Sequence, residues 1–382
     1  MIVDKARFPR DKCCGDGLTT LALRELEALG LTPSMVPTWN SVDAAWLRSP
    51  SAREVRVALP ADGVFAAVAP RRELDTAVLQ LARDAGAAVH DGHGLTALRQ
   101  FDGHIDAEVE GLGTVAARYL VAADGMWSTT RKLLQVGDRG RLGEWHAARQ
   151  YARNITGPAA ERLYVWFEPD LLPGYAWSFP LPGLRANVGF CVLRNGERKG
   201  HAMNQLWADL FRRPHIAEAL GDDVVLEGRH SAWPIPAGID RATLSRDRTL
   251  FAGDAAQAAD VLTGEGIGQA LLTGRLAAEA LLSAGASQPG AARRHYELAV
   301  RHHLVADHRL SMLLSRALSH ERGARAGVRL LAGSESARRC FARWMFEDEP
   351  RTVMFTPSRW HRAFFRRPGA FRAQGATDDR SG

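Results

Sequence analysis

The chain has 382 residues, 46% of them hydrophobic, enough for two domains or for one domain carrying a large insertion. No window offers the roughly 18 uninterrupted apolar residues of a membrane-spanning helix, since the most apolar helical stretch, "GQALLTGRLAAEALLSAG", contains Arg275 and Glu279, and charges at Asp4, Lys5 and Arg7 interrupt any secretory h-region. The net charge of +6 belongs to the C-terminal part, where residues 291–382 hold 18 Arg and no Lys against 9 acidic residues, without any nucleic-acid motif beside the arginines. The expected compartment is therefore the cytoplasm, and the expected arginine surface is a solvated helical face. A second reading gives "RWHRAFFRRPGAFR", where Trp360, Phe364, Phe365 and Phe371 alternate with Arg, a peripheral contact with anionic lipids at the inner face of a membrane.

Met1 to Val3 read as the end of a buried strand, with Asp4 closing it. "GLTTLALRELEALGL" spaces Leu18, Leu21, Leu23, Leu26 and Leu29 as one helix face, and Gly30 marks its stop. Residues 36–69 alternate as short strands with a turn at Asp62-Gly63, and a second helix follows in "RRELDTAVLQLARDAGAAV". Strands run through "ARYLVAADG", and the Trp-, Tyr- and Phe-rich stretch from 141 to 235 predicts an antiparallel sheet. "RTLFAGDAAQ" is a short apolar strand with a Gly-Asp turn leading to a helix. Beyond 290 the pattern is helical, ending in a polar tail, "QGATDDRSG", expected to be disordered. There are no internal repeats.

Four cysteines, Cys13 and Cys14 adjacent, give neither a C-x-x-C motif nor a disulfide framework. No metal site is expected: His302, His303 and His308 lack ligand partners at a suitable spacing, and H-E-x-x-H, P-loop and G-x-S-x-G motifs are absent. Three segments carry chemistry. In "LFAGDAA", Gly253 lets backbone approach a ligand and Asp254 can accept from a hydroxyl. "TGEGIGQALL" brings the N–H groups of Gly264, Glu265, Gly266 and Ile267 to a helix N-terminus, suited to a phosphate or an electron-rich ring edge. "YLVAADGMWSTTRKLL" runs a strand into Asp124-Gly125 and then a helix; an ordinary tight turn is the competing reading. Tyr175, Trp177 and Phe179 in "PGYAWSFPLPG" alternate along a strand and so face one side, as a core stripe or as one wall of an apolar pocket.

These segments, in this order and with "ARFPRDKCCGDGL" before them, resemble the FAD-dependent oxidoreductases of the p-hydroxybenzoate hydroxylase fold, most closely the geranylgeranyl reductase family, over residues 1 to about 285. The resemblance implies an α/β fold: a Rossmann-like FAD-binding domain from 1–31, 70–140 and 245–290, an antiparallel-sheet substrate domain from 32–69 and 141–244, and a helical region over 291–382. It implies FAD as cofactor, NAD(P)H as electron donor and an isoprenoid substrate, with no nucleic acid. By that resemblance Asp4 holds an adenosine ribose, Arg71 contacts the flavin, Asp124 and Gly125 serve the pyrophosphate region, Gly253 and Asp254 the ribityl chain, and Cys14 lies near the flavin's reactive face. An exposed strand end for Asp4, an exposed helix start for Arg71 and a buried apolar thiol for Cys14 are the plainer readings.

The family's Y-x-W-x-F-P run is matched, but its following G-x-G is half present, as Gly189-Phe190-Cys191. The expected reaction is reduction of C=C bonds in a polyprenyl lipid or quinone side chain. The alternative on the same fold is a monooxygenase acting on an aromatic or polyketide-like substrate, and the halogenase lysine motif is missing. The family also implies a strand, a G-x-G-x-x-G turn and a helix ahead of the strand ending at Asp4, which this sequence lacks. That raises the expectation of poorer solubility than an upstream-extended chain, or of a non-catalytic chain that binds no FAD.

Overall fold

Aromatic and β-branched residues between 145 and 235 assemble the largest sheet of the structure, a computed structural model describing residues 1–137, 143–194, 200–346, 350–352 and 367–372. The sheet order is β16 (Val225–Ile235), β12 (Trp145–Arg153), β15 (Arg185–Leu193), β14 (Ala176–Leu181), β13 (Leu163–Trp166), β4 (Ala44–Arg48) and β5 (Glu54–Ala58). Its pairs are antiparallel as expected, with one exception: β13 runs parallel to β4, which recruits the earlier hairpin of β4 and β5. β15 is buried along nearly its whole length because both faces are covered. On one face lie α4 (Gly200–Leu210) and α5 (Pro214–Leu220), through Trp207, Leu210, Ile216 and Leu220. On the other, Trp145, Trp177 and Cys191 meet Ala259 and Val261 from the next layer.

The remaining layer is built from parallel pieces. β1 (Ile2–Asp4) pairs in parallel with β7 (Val89–Asp91), and β11 (Leu120–Ala122) pairs in parallel with β18 (Thr249–Phe251), which also takes β17 (Ser245–Arg246) antiparallel. Among the described residues the two pieces are not hydrogen-bonded to each other; Ile2 of β1 and Val121 of β11 instead line one cavity. Two small antiparallel sheets complete the strands: β2 (Gly17–Leu18), β6 (Ala67–Val68) and β3 (Asn40–Ser41), then β8 (Leu95–Gln100), β9 (Ile105–Val109) and β10 (Gly113–Ala117).

The first helix stops where the sequence says it should, while the second ends five residues short of the expected "RRELDTAVLQLARDAGAAV" run. α1 (Thr20–Ala28) ends at Gly30, φ 84°, where Gly30 N–H donates to Glu27 O and Leu31 N–H to Leu26 O, with Leu26 and Leu31 both buried: a Schellman motif. α2 (Arg71–Asp84) ends the same way at Gly86, φ 90°. α3 (Thr129–Leu133) starts at Ser128, whose hydroxyl accepts from Arg131 N–H at 3.0 Å. α6 (Ile267–Ala284) follows β18 and packs on α1, where a Cβ on Gly268 would stand 3.1 Å from the Ala22 nitrogen. α7 (Pro289–Val300) covers α6, burying Tyr296 and Val300 against Phe251 and Leu276. α8 (Ala306–Leu318), α9 (Glu321–Gly333) and α10 (Glu335–Met345) continue the helical C-terminal region, and Val328, Leu331 and Ala342 close the core over β5. Trp360, Phe364, Phe365 and the tail "QGATDDRSG" lie outside the described residues. No helix among the described residues is long and apolar enough to cross a membrane.

Candidate active site

Two residues after β18 comes Gly253, whose φ of 58° and whose N–H bonded to Thr273 Oγ1 at 2.9 Å turn the chain sharply toward α6. The turn leaves Asp254 half-buried, with Lys12 Nζ 3.8 Å from its carboxylate. The following loop is held by buried Asp260, which accepts from Leu262 N–H, Thr263 N–H and Thr263 Oγ1 and pairs with Arg351 at 2.8 Å. Gly264 then takes φ 72°, and Gly266 precedes α6. The N–H groups of Ile267 and Gly268 donate to Glu265 Oε1 at 3.0 and 2.9 Å. Burial pushes the Glu265 carboxyl up to about 7 against the pull of those two N–H groups.

Facing this loop is the wall predicted from "YAWSF". Tyr175, Trp177 and Phe179 stand with successive ring centroids 6.0 and 5.9 Å apart. Each is pinned: Tyr175 donates its hydroxyl to Thr263 O, Trp177 Nε1 donates to Asn187 Oδ1 at 3.1 Å, and Phe179 lies against Gly17. Gly189 makes room for the wall, because a Cβ there would collide with the Trp177 ring and the Ala148 carbonyl. Cys191, in place of the second glycine, lines the same space.

The Cys-Gly-Asp-Gly turn forms the third side. Burial pushes the Cys14 thiol up to about 11 and Cys191 up to about 12, so both stay protonated and neither is a thiolate nucleophile. Arg71 is half-buried beside Cys14. Burial opposes its charge, but the bidentate contact with Asp75, 2.7 and 3.0 Å, outweighs that and holds the guanidinium above its ordinary value. Arg10 bonds the same carboxylate at 2.9 Å.

Sequence reasoning missed Asp16. It is fully buried, φ 63°, with Oδ2 accepting from Tyr151 Oη at 2.7 Å and Asn187 Nδ2 at 2.8 Å and Oδ1 accepting from Arg71 N–H at 3.3 Å. Burial raises its carboxyl to about 6, although Tyr151 and Asn187 pull it down. Asn187 Nδ2 also reaches Cys14 O at 2.8 Å, so one amide ties the turn to the aromatic wall. Buried Arg149 flanks the group, bonded to both oxygens of Asp11 and stacked 4.6 Å over the Tyr151 ring. The available signal was a carboxylate between two glycines, with Asn187 interrupting an apolar strand.

All of this surrounds one cavity of about 510 Å³. Cys14, Arg71 and Gly125 line it, as do Gly253, Asp254 and the run Gly264–Ile267, opposite the aromatic wall. Two expected residues stand outside the lining: Asp4 accepts from Ala6 N–H at 2.8 Å, and exposed Asp124 accepts from Thr130 N–H at 2.8 Å at the start of α3.

The FAD binding domain family matches residues 1–284. The chain belongs to this family. It is an FAD-dependent oxidoreductase, and its residues fit the flavin half of that cofactor. The half-buried Asp254 carboxylate, in the cavity lining beside Gly266, is an acceptor of the kind that the hydroxyls of such a cofactor need, while the N–H groups of Ile267 and Gly268 are already taken by Glu265 Oε1. The flavoprotein is 32% identical over 325 residues to a menaquinone reductase of Mycolicibacterium smegmatis, covering 78% of this chain and 75% of that one. It is 29% identical to digeranylgeranylglycerophospholipid reductase 2 of Methanopyrus kandleri, over 72% and 68% of the two chains. Its fold is that of a geranylgeranyl bacteriochlorophyll reductase-like protein from Thermoplasma acidophilum, TM-score 0.73, 19% identity, 94% and 92% coverage. A halogenase in complex with FAD shares the fold at TM-score 0.68, 15% identity, 93% and 78% coverage, so fold alone does not choose the reaction.

Proposed function

We propose that this flavoprotein saturates C=C bonds in an isoprenoid chain, such as a polyprenyl lipid or the side chain of a quinone, with NAD(P)H as the electron donor. The observation that carries the reading is the rigid wall of Tyr175, Trp177 and Phe179, facing the Gly264–Ile267 loop across an apolar cavity. The names of the related reductases support it. Arg71 and Asp254 would hold the cofactor, with the Gly264–Ile267 loop beside it. Bound FAD supplies the hydride. The aromatic wall positions the alkene and keeps water away, and the protonated Cys14 and Cys191 add apolar surface. Asp4 and Asp124 remain candidates for the adenosine and pyrophosphate end. The basic C-terminal segment would let the enzyme reach a lipid-borne substrate from the membrane surface.

The test is anaerobic incubation of photoreduced, FAD-loaded protein with a menaquinone or a geranylgeranyl lipid, followed by mass spectrometry. Gain of two hydrogens per saturated bond is expected. Oxygen-dependent hydroxylation of an aromatic compound, with no such gain under anaerobic conditions, would favour the monooxygenase alternative.

A further inference from the structure

A second cleft, of about 940 Å³, opens on the far side of the Cys-Gly-Asp-Gly turn and is lined by Asp11, Arg72, Glu73, Tyr151, Arg185 and Glu227 among others. It shares no lining residue with the main cavity. The hydrogen bond from Tyr151 Oη to Asp16 Oδ2, 2.7 Å, crosses between the two: Tyr151 lines the outer cleft and Asp16 lines the cavity with the aromatic wall.

We propose that Asp16 delivers the proton that completes alkene reduction, and that Tyr151 refills it from the second cleft. The proposal rests on the reductase reading. Hydride from reduced flavin forms one C–H bond, and the alkene's π pair forms the other with the proton of Asp16 as that O–H bond breaks. The resulting carboxylate takes the Tyr151 hydroxyl proton while Tyr151 takes one from water in the outer cleft. The sum is one alkene, one hydride and one solvent proton giving one alkane. Tyr151 passes the proton on without becoming a phenolate, which burial and the neighbouring Asp16 carboxylate oppose.

The other groups near the cavity serve this step less well. Cys14, Cys191 and Tyr175 all hold their protons more tightly than usual because they are buried. Arg149 also bridges the two spaces through Asp11, but a guanidinium keeps its proton. Glu265 spends Oε1 on the N–H groups of α6, and none of its side-chain hydrogen bonds among the described residues reaches the outer cleft. Asp16 itself titrates within reach of Arg71 and Arg149, which favour its charge, with Asp11 beyond Arg149 and the thiols of Cys13 and Cys14 beside it.

The test has two arms, run on the parent, Asp16→Asn and Tyr151→Phe. In the flavin-free chain, infrared difference titration should show a carboxylic acid band that Asp16→Asn removes and Tyr151→Phe shifts. In photoreduced, FAD-loaded protein mixed anaerobically with a geranylgeranyl lipid, flavin reoxidation should slow about 100-fold in Asp16→Asn and about tenfold in Tyr151→Phe, with FAD content unchanged. Should Asp16→Asn fail to fold, Tyr151→Phe carries the test alone. A parent that leaves the alkene untouched overturns the reductase reading and the inlet with it. A parent that reduces the alkene while Tyr151→Phe keeps the parent's rate overturns the inlet alone, as does an infrared band that neither substitution alters.

Discussion

Gly189 holds open the space that the Trp177 ring fills, and Asn187, two residues earlier on the same strand, anchors that ring by its Nε1. Adding one methyl at 189 therefore forces the ring off its rotamer or the backbone of β12 outward. Gly189→Ala is expected to cost about 1–3 kcal/mol, read as a fall in thermal midpoint, and to weaken lipid binding with FAD content retained. Asp16 gives a pH signature. Its folded value of about 6 exceeds the ordinary 3.8, so between these values the folded chain binds more protons than the unfolded one. Stability from this group is complete below pH 3.8 and lost as pH rises through 6, a fall of roughly 3 kcal/mol. Urea unfolding of the parent across that window should show the fall, and Asp16→Asn should flatten it.

At the scale of elements, the Gly264–Ile267 loop is braced from behind by Arg351. Arg351 Nη1 bonds both Asp260 and Ser311 of α8, at 2.8 and 2.7 Å, and Asp260 in turn fixes Thr263 and Leu262. Arg351→Met strips a buried carboxylate of its cation, an expected loss of about 3 kcal/mol in urea unfolding, and should lower the flavin retained on purification because Gly264–Gly266 loses its support. Much at this scale was legible beforehand. The end of α1 follows from Gly30, since the Schellman bonds that stop it are local, whereas the second helix, read through "DAGAAV", stops earlier, at Asp84 before Gly86. The Gly-Asp turn, the Gly-Glu-Gly-Ile loop and the aromatic wall were legible because each is one short segment. The resemblance put 32–69 with 141–244, but the parallel pairing of β4 with β13 was not legible, since the two strands meet across more than a hundred residues of sequence. Nor was the role of Asp16, whose partners come from β12 and β15 and are brought together only by the folded sheet.

The whole molecule carries an interrupted parallel layer. β1 and β11 each leave one edge without a strand among the described residues, and Val121 remains 39% exposed beside the gap. Open apolar edges invite edge-to-edge association, so the protein is expected to self-associate as concentration rises. Val121→Lys should lower static light scattering at equal concentration. Stability, too, belongs to the whole chain, and the left-handed backbone of Asp16 has a consequence for anyone selecting on it. Asparagine is at home at φ 63°, keeps an oxygen for Tyr151 and Asn187, gives up only the long 3.3 Å bond from Arg71 N–H, and brings no charge to desolvate. Directed evolution for heat resistance at neutral pH should therefore return Asp16→Asn early and repeatedly, enriching survivors that bind flavin and lipid well and turn over poorly.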